Sequence, residues 1–192
     1  SDLSTNLGRV RDNDADVLLL TAHQKHAVIA ADQMESQEVN VDAAMATVGS
    51  LTDSFKEQTG DNGNYWYGPS SWAVNANFQD PVFGSTSEYV QAHEEEFDYT
   101  PDYHNAAGVG VVETFKRAFE EVGELSPGNV RDTIRELEFS TAYGTVTFAD
   151  NGVINKNMIV YQWQPDPGKQ IVYPEAARQS EPIYPTPSWS ER

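Results

Sequence analysis

Apolar residues recur at helical spacing from Pro101 to Gly123, PDYHNAAGVGVVETFKRAFEEVG, the longest strongly periodic stretch in the chain. Ala107, Val111, Phe115, Ala118, Phe119 and Val122 fall on one side of the wheel, while Glu113, Lys116, Arg117, Glu120 and Glu121 fall elsewhere. The pattern predicts one amphipathic helix laid against one core, opened by Pro101 and Asp102 and closed by Gly123. Its first turn carries Tyr103 and His104, where free N–H groups and the positive end of the helix dipole could face a polar ligand.

The chain before this helix alternates between elements. Ser4 to Asp14 reads as a helix with Leu7 and Val10 inward, and Asp16 to Leu20 as a strand covered on both faces. Lys25 to Glu35 reads as a helix burying Ala27, Val28, Ala31 and Met34, and Asp42 to Thr47 as a second strand. Ser50 and Asp53 resemble a capping box for a helix holding Leu51 and Phe55, and Asn64 to Tyr67 reads as a third strand. Helix and strand alternating in this way predict a parallel α/β layer.

After Gly68-Pro69 the period disappears, and Ser70 to Gly84 reads as a crossing segment between lobes. Ser85 and Glu88 are placed to cap a helix running through Phe97, and Ser126 with Pro127 to begin another, with Val130, Ile134 and Leu137 at helical spacing. Tyr143 to Phe148 alternates as a half-exposed strand. Asn151-Gly152 is expected to turn the chain so that Met158 to Trp163 returns beside it, followed by a short strand at Ile171 to Tyr173. From Pro174 onward four prolines in nineteen residues forbid regular structure, so the tail lies extended over something or is loose.

Composition narrows the partners. The 192 residues allow one domain with a real core or two small lobes, and carry thirty acids against seven Arg and five Lys, a formal charge of −18. Such a surface repels nucleic-acid phosphates and anionic lipid, so no nucleic-acid partner is expected. The acids are dispersed along a chain that is still 39% hydrophobic, which reads as a folded, salt-adapted (halophilic) protein with a hydrated acidic surface. With no cysteine there is no disulfide, thiol nucleophile or Cys-ligated metal, and no run approaches the ~18 apolar residues of a membrane span.

Catalytic patterns are weak. Gly108-Val-Gly110 lacks the third glycine of a dinucleotide fingerprint and sits within a helix, and Gly68-Pro-Ser-Ser-Trp72 is not a nucleophile elbow. His23 and His26 stand three apart without a third metal ligand near in sequence, and Glu94-Glu95-Glu96 reads as a wet helix face. No cofactor and no metal is expected. What remains is geometry: ligands in open α/β sheets lie beyond the carboxyl ends of the strands, here Thr21 to Gln24, Thr47 to Ser50 and Gly68 to Trp72. If Tyr103 and His104 belong to a second lobe facing that edge, the expected site is an interlobe cleft, suited to binding rather than turnover.

The runs DADVLLLTAHQKHAVIAADQ, AAMATVG, NYWYGPSSW, EYVQAHEEEFDYTPDYHNAAGVGVVETF, VRDTIRELEFSTAYGTVTFADNG and MIVYQWQPDPGKQIVYPE span nearly the whole chain. In order and register they resemble the C-terminal half of type I periplasmic substrate-binding proteins, the branched-chain amino acid (Liv-type) receptors of ABC transporters. The resemblance implies an α/β fold of two Rossmann-like lobes joined by three crossings, with ligand enclosed by hinge closure and the closed form docking on a membrane permease. It implies an extracytoplasmic location and no enzymatic activity.

On the same resemblance, residues 1–72 are expected to belong to the second lobe, 73–156 to the crossing and first lobe, and 157–192 to the return to the second lobe and the proline-rich tail. The chain is expected to be a partial receptor whose exposed sheet edges and apolar faces could drive homodimerisation. Carried over by position, the cleft residues are His23, Gln24, Thr47, Gly49, Trp72, Tyr103 and His104. Relatives often place a glutamate after the second of these strands to pair with an amino acid's ammonium group, whereas this chain has Val48-Gly49-Ser50. That departure argues against a free α-amino acid, and the expected ligand is a small amino-acid-like, amide or aromatic carboxylate molecule. A ligand-sensing module of the same fold is the alternative, and a hydrolase on an α/β scaffold a third.

Overall fold

A computed structural model describes residues 2–192. The described residues form two compact units, 2–70 with 159–192, and 71–158.

In unit 1, helix α1 (Ser4–Asp12) precedes strand β1 (Val17–Leu20), helix α2 (Gln24–Ser36), strand β2 (Ala43–Ala46), helix α3 (Asp53–Thr59) and strand β3 (Tyr67–Ser70). Strands β1, β2 and β3 run parallel, with Val17 opposite Ala43 and Met45 opposite Tyr67. The core lies under α2, whose Ala27, Ala30, Ala31 and Met34 meet Val39, Ala44, Ala46, Phe55, Trp66 and Trp163.

Two strand readings need correction. β1 is not covered on both faces: it is the edge of its sheet, with Leu18 and Leu20 against the core while Val17 and Leu19 are 58% and 59% exposed. β3 begins at Tyr67 rather than Asn64, because Tyr65 takes a positive φ of 67° that interrupts the extended run before it.

The helix after β2 is also capped differently. Thr52 is the N-cap, its Oγ1 accepting from the Phe55 N–H at 3.1 Å, whereas the Ser50 hydroxyl is buried and lies 3.2 Å from both the Ala46 and Tyr67 carbonyls.

In unit 2 a short hairpin, β4 (Gln79–Asp80) with β5 (Gly84–Ser85), leads into helices α4 (Thr86–Phe97), α5 (Tyr103–Glu121) and α6 (Pro127–Glu136). Ser85 caps α4 by accepting from the Glu88 N–H, and Ser126 with Pro127 opens α6, as their spacing predicts. At α5, Asp102 accepts from the His104 and Asn105 N–H groups while Asn105 accepts from the Asp102 N–H, a reciprocal capping box.

The buried face of α5 differs from the expected stripe. Ala106, Gly110, Glu113, Thr114 and Ala118 are buried, and Val111, Phe115 and Phe119 are exposed. Small residues decide the rotation: a Cβ at Gly110 would stand 3.2 Å from the Tyr143 Cβ and 3.3 Å from its Cδ1, so the face that admits the Tyr143 side chain lacks bulk. Phe115 and Phe119 instead border an open groove of about 800 Å³ with Leu125, Val130, Ile134 and Phe148.

Strands β6 (Phe139–Thr141) and β7 (Gly144–Val146) form a hairpin. The expected partnership of the Tyr143 strand with Met158 to Trp163 does not form, although the Asn151-Gly152 turn does close a single bridge between Phe148 and Ile154. Strand β8 (Ile159–Gln164) instead runs antiparallel between β3 and β9 (Gly168–Tyr173) in unit 1, giving the order β1-β2-β3-β8-β9.

The tail is held extended on unit 1. The buried Gln162 amide clasps Ile183 through two 2.9 Å bonds, Thr186 N–H donates to Asp42 O at 2.9 Å, and the Trp189 indole donates to Val39 O at 3.0 Å.

Candidate functional site

Unit 1 brings four of the expected site residues together where β1 and β2 end. The Thr47 N–H donates to Leu20 O at 3.0 Å, so the loop after β2 starts against the end of β1. Gly49, with φ of +83°, lies on the first turn of α2: a Cβ there would be 2.5 Å from the Gln24 Cβ and 2.8 Å from the Gln24 N. Only glycine permits both that backbone angle and that approach. Gln24 turns its amide to the Ser54 Oγ at 3.0 Å, bridging the two loops through α3. His23 is the N-cap of α2, exposed, and its side chain makes no capping bond. The site edge thus presents an imidazole, an amide, a hydroxyl and the amino end of a 13-residue helix.

Side chains from distant strands hold the loop after β2 in place. The Trp163 indole donates to Ser50 O at 2.6 Å, and the Lys169 amine donates to Leu51 O at 3.0 Å, with Asp53 3.4 Å away. Sequence reasoning missed Ser50, Ser54, Trp163 and Lys169 as supports. The Gln-Trp pair before the last strand was the one available signal, since a buried indole needs an acceptor.

In unit 2, Trp72 is 4% exposed, in the core with Tyr89, Ala106 and Ala142, and its indole donates to Ala142 O at 2.8 Å. Tyr103 is half-buried against the same cluster, and burial, then the neighbouring Asp102, raises its hydroxyl above the usual range. His104 is exposed at the α5 entrance, its ring centroid 3.9 Å from that of Tyr103 and its Nδ1 3.4 Å from Asp102 Oδ2. The Lys156 amine rests 3.7 Å from the centre of the Tyr143 ring and donates to Tyr143 O; burial depresses it to about 8. Among the described residues, no group of three or more His, Cys, Asp or Glu gathers as metal ligands, and no helix is long and apolar enough to cross a membrane.

The family described as periplasmic binding protein matches residues 1–169. The chain belongs to the periplasmic binding proteins. Solved structures agree on the fold. The leucine-binding protein LivK of Thermotoga maritima superposes with a TM-score of 0.77 at 18% identity, over 88% of this chain and 47% of that one. LivJ of Streptococcus pneumoniae, a branched-chain amino acid transporter substrate binding protein in complex with isoleucine, gives 0.70 at 14% identity, covering 90% and 49%. A solute binding protein of an ABC transporter from R. palustris, in complex with benzoate, gives 0.68 at 12% identity, covering 94% and 49%. The chain therefore spans about half the length of these relatives and has the mixed α/β fold of type I periplasmic binding proteins.

Proposed function

We propose that this periplasmic binding protein chain is part of the extracytoplasmic solute-binding component of an ABC importer. It takes up a small ligand without transforming it and presents it to a membrane permease. The observation that carries the reading is the juncture at the strand ends, where Gly49 lies on Gln24 and Thr47 is tied to Leu20 beside the uncapped α2 entrance. Such a place offers hydrogen-bond donors and a partial positive charge to a small polar ligand.

Neither Thr21 to Gln24 nor Thr47 to Ser50 contains a carboxylate. An ammonium group enclosed there would lack a counter-charge, at a cost of several kcal/mol, on the order of the desolvation of one ion. The favoured ligand class is accordingly an aromatic carboxylate or an amide, ahead of an α-amino acid. His23, Gln24, Thr47 and Gly49 are the proposed contacts from unit 1. Trp72, Tyr103 and His104 enter the proposal through the sequence resemblance.

The test is titration calorimetry and tryptophan fluorescence with benzoate, benzamide, urea, leucine and isoleucine. The expected result is saturable binding of a carboxylate or amide with the ligand recovered unchanged. Product formed at a rate proportional to protein concentration would overturn the proposal.

A further inference from the structure

Glu113 is the one carboxyl on α5 that faces inward. It is 6% exposed, and neither of its oxygens has a hydrogen-bond donor. The polar group it meets is the carboxyl of Asp80 on β4, itself 5% exposed. Asp80 is fully engaged: Oδ1 accepts from the Val82 and Phe83 N–H groups at 2.8 and 2.7 Å, and Oδ2 accepts from the Ala142 N–H at 2.5 Å. Two carboxylates cannot both remain charged at short range in a buried setting, so one proton must be shared between them. Three backbone donors converge on Asp80 and none on Glu113, which places the proton on Glu113.

We propose that Glu113 is held as a neutral acid whose O–H donates to Asp80, and that this proton fastens α5 to both hairpins of unit 2, which loosen when it is lost. Asp80 already ties the β4–β5 turn to the β6–β7 turn, so the Glu113 hydroxyl adds the helix to the same point. When the proton leaves for solvent, the carboxylates repel and the point that joined three elements becomes a source of strain.

The surrounding charges do not offset this. On α5 itself Lys116 favours ionisation of Glu113, but it is exposed and paired with Glu120 at 2.7 Å, and Arg117, one turn on, is exposed and paired with Glu121 at 2.9 Å; the Lys156 amine, beside the β6–β7 turn, is committed to Tyr143 O. Strands β6 and β7 carry no titratable residue. On α6, Arg131, Asp132, Arg135 and Glu136 are all exposed, with Arg131 on Asp132 and Arg135 on Asp150 O. His93 on α4 turns its Nδ1 to Tyr99 O, and the Tyr143 hydroxyl goes to Ser71.

Burial first, then Asp80, raises the Glu113 carboxyl from 4.5 to about 7. Because the folded-state value lies above the unfolded one, the stabilisation is complete below about 4.5 and is lost as pH rises through about 7. Over pH 6 to 8 the opening equilibrium of unit 2 increases about tenfold from this group alone.

The experiment follows the side-chain carboxyl ¹³C shift of Glu113 against pH, together with hydrogen exchange at the Val82, Phe83 and Ala142 amides corrected for intrinsic rate. The expected results are a midpoint about 7 and protection at those amides that falls about tenfold from pH 6 to 8 in the parent and stays level in Glu113→Gln, whose amide still donates to Asp80. A midpoint near the ordinary 4.5, or an unchanged pH dependence in Glu113→Gln, overturns the proposal. Should that variant fail to fold, the parent titration decides alone.

Discussion

Replacing Gly49 by alanine tests whether the strand-end juncture is as tightly specified as its geometry says. Two costs combine. An L-residue at φ of +83° occupies the left-handed region, worth roughly 1–2 kcal/mol. The added methyl would stand 2.5 Å from Gln24 Cβ, 2.7 Å from Gln24 Cα and 2.8 Å from Gln24 N. Two of those three atoms are backbone at the start of α2, so no side-chain rotation relieves the overlap, and forced overpacking of this kind costs roughly 1–3 kcal/mol.

The total expected is about 3 kcal/mol, which for a chain of this size lowers the melting temperature by roughly 6–12 °C. Gly8→Ala is the control: it sits within α1 with nothing within 4 Å of the added methyl, and should be neutral or stabilising by about 0.5–1 kcal/mol. Thermal unfolding by circular dichroism measures both, and calorimetric titration then asks whether Gly49→Ala also weakens ligand binding. A Gly49→Ala protein that melts within about 1 °C of the parent would refute the reasoning, since neither strain nor overlap would then be present.

Among the described residues six acids pair with Lys or Arg, leaving most of the thirty in water, so melting temperature should rise steadily from low to molar salt. A flat or falling curve would count against salt adaptation and point to a cationic partner. The groove bordered by Phe115, Phe119, Leu125 and Ile134 should bind an apolar dye and drive self-association of residues 1–192 in light scattering. The double change Phe115→Ser with Phe119→Ser should remove both, and a parent that stays monomeric and dye-free would refute this. Tyr103→Ala or His104→Ala should each weaken ligand binding by roughly 1–3 kcal/mol, the worth of a packed aromatic or a hydrogen bond to a ligand; unchanged affinity in calorimetry would remove these residues from the site.

Much of the architecture was legible along the chain because its causes are local. Asp102, Ser85 and Ser126 cap the helices that their spacing announced, since a cap needs only a side chain and an N–H two or three residues on. The parallel layer was readable for the same reason: helix and strand periods alternate through Tyr67, and the strand-end loops follow from that alternation.

Strand partnership was not legible in this way. The Tyr143 and Met158 stretches both read as strands around an Asn-Gly turn, yet Ile159–Gln164 pairs with Tyr67–Ser70 and Gly168–Tyr173. Alternation along one strand says which side is apolar but not which distant edge will accept its hydrogen bonds. The inward face of α5 was hidden because apolar residues occupy more than one side of the helix. Close approach to Tyr143 selected the small residues, and Glu113 was carried inside with them.

The sequence by itself determined where α4, α5 and α6 begin, which strands run parallel and that the chain is acidic and free of cysteine. Only the tertiary structure decided that Gly49 meets Gln24, that Trp163 and Lys169 hold the Ser50-Leu51 loop, and that Glu113 meets Asp80. The first set depends on neighbours within a few positions. The second joins residues 25 to over 100 positions apart, which come together only once the sheet and the helices above it have packed.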